Sequence, residues 1–119
     1  MIIGIPADKE DKNSPVSGSF GRAPFYFIYN DETNEVEFAV NDAAKAQGGA
    51  GVKAASLIVE KKVDTIITPQ LGENASMVIK AANIKMYQSK EGSLMDNVLY
   101  LKDGKLEQLG NIHEGFHKS

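Results

Sequence analysis

The sequence predicts an α/β protein in which helices flank a mixed five-stranded sheet. Short runs rich in Ile, Val, Phe and Tyr, which are typical of strands, precede and alternate with segments of helical periodicity. The second and third runs are close enough to form a hairpin, whereas helices separate the later strands and keep them parallel. The strand order that follows is 3-2-1-4-5, with strand two antiparallel to the others.

The first three predicted strands lie in the first third of the chain. Residues 2–6 are apolar in succession, as in a central strand covered on both faces. Phe25–Asn30 and Glu35–Val40 form the hairpin, because a polar turn separates an aromatic run from an alternating one. Residues 7–24 are too rich in charged, Ser, Gly and Pro residues for regular structure, and long loops of this kind are often functional.

Three helices are predicted in the rest of the chain. The first follows a glycine-rich loop and ends in a lysine pair, which suits the negative end of the helix dipole. The second begins at Glu73 or Asn74. The third begins at Ser93, which together with Asp96 resembles a capping box.

Strands four and five are predicted at residues 64–68 and 84–88. The first predicted helix precedes strand four, and the second precedes strand five. The sequence beyond Leu109 lacks periodicity. We therefore expect a single domain over residues 1–109 and a C-terminal tail over residues 110–119.

The loops that follow strands one, three, four and five are predicted to emerge at the same end of the sheet. Strands one and four border the point where the winding of the chain reverses, and open α/β sheets tend to bind ligands at such a crevice. The glycine-rich stretch at residues 47–51 opens a helix there, and its free N–H groups can hold an anion. Alternatively, these glycines serve only to let the helix pack close to its neighbours.

Composition excludes several functional classes. The 119 residues suffice for one domain, and a net charge of −3 disfavours general nucleic-acid binding. The absence of cysteine removes disulfides and thiolate ligands. The chain begins with a strand pattern rather than a signal peptide, and no apolar run is long enough to span a membrane. We expect a cytoplasmic protein that binds neither membranes nor nucleic acids in general.

Several polar residues are of types that serve in catalysis or metal binding. Asp8, Asp42 and Glu73 lack the spacing of a two-metal nuclease, and the serines of the first loop lack a nucleophile-elbow pattern. His113 and His117 are four residues apart, so they could bind a metal if that segment were helical.

Arg22 follows a flexible stretch with hydroxyl groups, where a guanidinium can hold an anion. The alternative role for Arg22 is a surface salt bridge.

Four blocks of the chain carry a resemblance to a known family: residues 17–26 (SGSFGRAPFY), 49–51 (GAG), 63–68 (VDTIIT) and 84–87 (IKMY). In this order and spacing, they resemble the dinitrogenase iron–molybdenum cofactor biosynthesis family, which includes NifX, NifY and the C-terminal part of NifB. The likeness extends over nearly the whole chain to about Leu109.

The resemblance implies a ribonuclease H-like motif fold and a role in carrying or inserting a metal cluster rather than catalysis. Relatives often have His where this chain has Ser19, and Gly where it has Pro69. A hydroxyl is a poorer ligand than imidazole for iron, and proline removes a backbone donor.

The leading hypothesis is a non-catalytic protein that binds an iron–sulfur or iron–molybdenum cluster, or its precursor, and exchanges it with a donor or acceptor protein. Glycines would admit the cluster to the backbone, and hydroxyl, amide and guanidinium groups would contact it. These candidate residues are Ser17, Ser19, Arg22, Gly49, Gly51, Gly72 and Asn74. The alternatives are a small enzyme or sensor for a phosphorylated molecule in the same crevice, and a regulator that binds only proteins.

Overall fold

The computed structural model describes residues 1–110, 112 and 113, and it contains three α-helices and seven strands in that part of the chain. The strands are β1 (Ile2–Ala7), β2 (Phe25–Asn30), β3 (Glu35–Val40), β4 (Thr65–Thr68), β5 (Leu71–Gly72), β6 (Lys85–Gln88) and β7 (Ile112–His113). The helices are α1 (Ala50–Glu60), α2 (Glu73–Ala81) and α3 (Leu94–Lys102), and a short 3₁₀ helix at Asp42–Lys45 precedes α1.

The main sheet has five strands in the order β3-β2-β1-β4-β6. Strand β2 is antiparallel to both neighbours, and β4 is parallel to β1 and β6. The predicted fold class and topology are confirmed. The one difference is that the two-residue β5 follows β4, so the last strand of the sheet is the sixth along the chain.

Strand β5 pairs in parallel with β7, with Leu71 opposite Ile112 and Gly72 opposite His113. From sequence, residues 69–72 are expected to break the fourth strand, and no regular structure is expected beyond Leu109. Two strands of two residues each are too short to produce a periodic pattern, so their pairing cannot be detected in the sequence.

Helices cover both faces of the sheet. Helices α1 and α2 pack on one face and α3 packs on the other, which gives a three-layer arrangement with a core on each side of the sheet. The first core contains the buried residues Tyr26, Ile28, Ala54, Ala55, Ile58, Ile66, Ala75 and Ile79. The second contains Ile3, Ile5, Phe27, Ile67, Leu94 and Val98. Among the described residues, no helix is long and apolar enough to cross a membrane.

The three helices begin in two different ways. Ser93 and Asp96 form the predicted capping box at α3: Ser93 Oγ accepts from the Asp96 N–H at 3.0 Å, and Asp96 Oδ2 accepts from the Ser93 N–H at 3.0 Å. In contrast, α1 and α2 begin at Gly49 and Gly72, where no side chain caps the helix. The first N–H groups of α1 and α2 are therefore available to other acceptors.

Gly4 allows α1 to lie close to the centre of the sheet. A Cβ atom at this position would lie 3.3 Å from Ile58 Cδ1 and 3.3 Å from both γ carbons of Val63. Both neighbours are buried. A larger residue would have to displace packed side chains.

We predict that Gly4→Val lowers the free energy of unfolding by about 1–3 kcal/mol, because added carbons overpack this core. Urea unfolding followed by circular dichroism measures the change. Gly18→Ala is the control, since a Cβ at Gly18 meets no atom within 4 Å and should alter stability little. Equal stability of Gly4→Val and the wild type would contradict the packing described above.

Candidate functional site

A cleft of about 510 Å³ lies at the end of the sheet where β1, β3 and β4 finish. Its walls are formed by three segments, residues 19–22, 47–52 and 70–75. These segments belong to three of the four loops that the sequence predicts at this end. The fourth loop, residues 89–92, does not line the cleft and is held by Asn97, whose side chain binds the backbone N–H and C=O of Lys90.

Two helices begin at the cleft. The first-turn residues of both helices line it: Ala50, Gly51 and Val52 of α1, and Glu73, Asn74 and Ala75 of α2. The N–H groups of a first turn have no acceptor within their own helix, and neither helix has a side-chain cap. The partial positive charges of two helix dipoles therefore meet in one cleft, which favours a negatively charged ligand.

Small residues bring the three walls together. A Cβ on Gly51 would lie 3.5 Å from the Cβ of Ala75, so the first turns of α1 and α2 are in van der Waals range. A Cβ on Gly21 would lie 3.0 Å from Gly51 Cα and 3.1 Å from Gly51 N, which is tighter than most Cβ contacts in proteins. The loop carrying Gly21 thus lies directly against the start of α1, and a side chain on Gly21 would require one of the two backbones to shift by a few tenths of an ångström.

Arg22 fixes the loop before α1 to the loop before β2. Its Nη1 donates to the carbonyl oxygens of Ala44 and Ala46, at 3.1 Å and 2.7 Å. The side chain is exposed and lines the cleft. It forms no salt bridge with any described residue. Among the described residues, no acceptor other than these two carbonyls contacts the guanidinium.

A buried polar cluster anchors the loop that carries Gly21 and Arg22. Asn41 Nδ2 donates to the carbonyl oxygens of Gly21 and Ala23, at 3.0 Å and 2.8 Å. The hydroxyl of Tyr26 donates to the carbonyl of Phe20, and burial raises the pKa of Tyr26, so the hydroxyl stays protonated as a donor. These contacts hold the carbonyls of Phe20, Gly21 and Ala23 and fix the wall of the cleft.

Six of the seven candidate residues line the cleft: Ser19, Arg22, Gly49, Gly51, Gly72 and Asn74. Ser17 does not. It is buried beneath the loop, where its Oγ accepts from the Ser19 N–H at 3.3 Å, so its observed contact supports the loop. Ser19 Oγ in turn accepts from the Arg22 N–H at 3.1 Å. Whether the six residues bind a ligand stays a prediction.

The two glycines at the start of α1, Gly49 just before the helix and Gly51 in its first turn, have different roles. Gly49 has a left-handed backbone, with φ of 69°, and a Cβ there would meet no atom within 4 Å. It shapes the turn that leads into the helix and leaves open space above it. Gly51 faces Ala75 and the loop that carries Gly21. Because Gly51 has no side chain, these walls of the cleft can pack closely against the start of α1.

Of the two histidines predicted as a metal pair, the backbone of His113 lies in β7 opposite Gly72, beside the cleft. His117 lies outside the described residues. Within the part of the chain that is described, no group of three or more His, Cys, Asp or Glu residues is placed to hold a metal ion. In particular, Asp8, Asp42 and Glu73 do not form such a group.

Some residues of the cleft were not singled out from sequence. Gln70 lines it and donates from Nε2 to the carbonyl of Gly18 at 2.9 Å, which links the wall after β4 to the first loop. Gln47 and Gly48 belong to the glycine-rich stretch singled out from the sequence, and they complete the wall before α1. Glutamines carry no distinctive pattern, but Asn41 could have been recognised, because an Asn directly after a strand is typical of a turn.

The comparisons with known proteins agree with the fold and indicate a family. An uncharacterized protein of Methanocaldococcus jannaschii is 32% identical over 111 residues, which is 91% of each chain. The structure of a NifB-like protein from Thermotoga matches with a TM-score of 0.80 and 34% identity, covering 91% of this chain and 92% of that one. The apo form of the orange protein from Desulfovibrio gigas matches in fold, with a TM-score of 0.87, 24% identity and coverage of 92% and 93%.

The family model described as dinitrogenase iron-molybdenum cofactor matches residues 1–103. This match covers most of the chain, including all three walls of the cleft. It confirms the resemblance seen in the sequence blocks. The chain belongs to the dinitrogenase iron-molybdenum cofactor family.

Proposed function

We propose that this protein binds an anionic iron–sulfur cluster, or a precursor of the iron–molybdenum cofactor, in the cleft and carries it without catalysing a reaction. The observation that carries the proposal is the convergence of two uncapped helix N-termini on one cleft, with Arg22 at its wall. The family supports the class of ligand. The cleft volume of about 510 Å³ suits a compact ligand.

The chemistry of the lining favours hydrogen bonds to the cluster over bonds to its metal atoms. The described residues of the lining include no thiol and no imidazole, and the one carboxylate among them belongs to Glu73. Sulfide atoms of a cluster accept hydrogen bonds, and such bonds are a recognised means by which proteins hold and tune clusters. Backbone N–H groups and Arg22 would supply them. A cluster held in this way can be passed on without breaking protein–metal bonds, as a carrier requires.

A phosphorylated small molecule is the second candidate ligand, because free N–H groups at helix N-termini also suit phosphate. The protein would then be a sensor or a small enzyme. Binding of inorganic phosphate in preference to a cluster, or turnover of a phosphate ester, would favour this alternative. Retention of a cluster without turnover would favour the carrier.

The first test is an anaerobic titration of the protein with a synthetic thiolate-ligated iron–sulfur cluster, followed by visible absorption and gel filtration. We expect iron to co-elute with the protein in stoichiometric amount. Arg22→Ala should weaken binding by about tenfold, because a charged hydrogen bond and a wall contact are lost. Ser19→Ala should weaken it less.

Lys80→Ala is the matched control, since it also removes one positive charge but lies in the last turn of α2, away from the cleft. It should bind the cluster like the wild type. Failure of the wild type to retain iron would contradict the carrier proposal. Equal weakening of cluster binding by Arg22→Ala and Lys80→Ala would show that net charge, rather than the cleft, attracts the cluster.

Glu73→Gln tests how the cluster is held. If the ligand is an anion held by hydrogen bonds, removing this carboxylate should tighten binding by about two- to fivefold. Glu60→Gln, at the far end of α1, is the control for the change in net charge. Weaker binding by Glu73→Gln would indicate instead that the carboxylate bonds to a metal atom.

A comparison of Gly21→Ala with Gly51→Ala distinguishes the close contact between two backbones from ordinary packing between two helices. Gly21→Ala must push the loop away from α1, so we expect a loss of about 1–3 kcal/mol in unfolding free energy together with weaker cluster binding. Gly51→Ala has room for its methyl group and should retain the wild-type stability or gain up to about 1 kcal/mol. Urea unfolding and the cluster titration measure both effects. Similar behaviour of the two variants would refute the assigned contacts.

A further inference from the structure

The two edges of the main sheet differ in how they are covered. Beside β6, the N–H of Gln88 donates to Glu107 O at 2.8 Å, and the N–H of Leu109 donates to Met86 O at 3.0 Å. The chain thus shields that edge itself. At the other edge, β3 pairs with β2 on one side, and no other described segment pairs with its outer side. An open edge of this kind is a template for a further strand.

The open edge carries an apolar stripe on one face. Val36, Phe38 and Val40 alternate along β3 and lie opposite Tyr29, Phe27 and Phe25 of β2, respectively. Phe38 packs on Phe27 with ring centroids 5.3 Å apart. Val36 and Val40 are 44% and 59% exposed, so the stripe reaches the edge of the sheet without cover.

The backbone groups of the same three residues point away from the sheet. The N–H of Asn41 donates to Pro24 O at 3.0 Å, just beyond the β2–β3 ladder. Because hydrogen-bonded and non-hydrogen-bonded pairs alternate in an antiparallel ladder, Ala39, Glu37 and Glu35 also bond towards β2. The N–H and C=O groups of Val36, Phe38 and Val40 therefore face outwards.

We propose that β3 is a self-association surface, which pairs antiparallel with β3 of a second copy about a two-fold axis at Phe38. In this register, Phe38 lies opposite Phe38 of the other copy, and Val36 lies opposite Val40 of the other copy. All outward backbone groups then meet in hydrogen-bonded pairs, and the two apolar stripes become continuous.

Charge distinguishes this register from its neighbours. It places Glu37 opposite Ala39 and Glu35 opposite Asn41 of the other copy, so no two carboxylates are paired. A two-residue shift that centres the axis on Glu37 would place two Glu37 side chains opposite each other, which is destabilising. A one-residue shift would place outward backbone groups opposite inward ones and break the ladder. A two-residue shift the other way, centred on Ala39, would place Val36 opposite Asp42 in the 3₁₀ helix, so fewer of the outward backbone groups would pair. The register centred on Phe38 therefore pairs the most backbone groups without opposing carboxylates.

The resulting dimer is isologous and joins two five-stranded sheets into one continuous sheet. Because the two copies of β3 run in opposite directions, the two clefts lie at opposite ends of the joined sheet. Each cleft stays open, since β3 contributes no residue to its lining. Self-association therefore leaves ligand binding unobstructed.

Sedimentation equilibrium over a range of concentrations up to millimolar protein tests the proposal. We expect the wild type to shift towards twice its 12.9 kDa mass as concentration rises. Val36→Lys and Val40→Glu should each weaken association by at least about tenfold, because each substitution disrupts two symmetry-related cross-strand pairs. Met77→Lys, at a 62% exposed position on α2, is the matched control and should associate like the wild type.

The register is tested by combining the two substitutions. The double variant Val36→Lys/Val40→Glu places each lysine opposite a glutamate of the other copy, so association should be restored. An equimolar mixture of the two single variants should likewise form a heterodimer. Failure of both combinations to associate would overturn the proposed register.

Hydrogen exchange distinguishes a second copy from other occupants of the edge. The amides of Val36, Phe38 and Val40 should gain protection as protein concentration rises. Protection that is independent of concentration would mean that another segment of the same chain covers the edge. A wild type that stays monomeric at every concentration would also overturn the proposal.

Discussion

The cleft depends on the contact between two backbones at Gly21 and Gly51. There the first loop lies so close to the first turn of α1 that a side chain on Gly21 would force one of the two backbones to shift. The same turn of α1 faces Ala75 of α2, so one point of contact brings together the loop and both helices. Asn41 and Tyr26 hold the loop carbonyls from beneath and keep it in place. Any residue that widens this contact separates the groups that we propose bind the ligand.

Two of the helices, α1 and α2, begin at glycines instead of the usual Ser, Asp or Asn. A capping side chain would satisfy the first N–H groups from within the chain, as Ser93 does at α3. At α1 and α2, glycine leaves those groups without a side-chain partner and leaves room above them. Helices α1 and α2 therefore lack the stabilisation of a capping side chain, and their N-termini give the cleft a partial positive charge. With no thiol or imidazole among its described lining residues, such a cleft suits reversible binding of an anion.

Much of the fold could be predicted from the sequence. Hydrophobic periodicity locates the strands and helices, and the hairpin and the helical crossovers between strands determine the strand order. Six candidate residues also fell in one cleft, since loops after parallel strands meet at one end of the sheet. The rest depends on tertiary contacts. Arg22 binds carbonyls of the 3₁₀ helix and the following loop, and Ser17 is buried beneath its own loop. Neither arrangement has a local sequence signal, and the pairing of β5 with β7 is too short to have one.

The proposed function requires a metal cluster to bind against the first turns of α1 and α2. Its most direct test is a ¹H–¹⁵N correlation spectrum recorded during anaerobic addition of a paramagnetic synthetic iron–sulfur cluster, which broadens the signals of nearby amides. We predict that broadening begins at Ala50, Gly51 and Val52 together with Glu73, Asn74 and Ala75, and that Arg22→Ala reduces it. Broadening centred elsewhere, for example on β3 or α3, would contradict the assignment of the cleft as the cluster site.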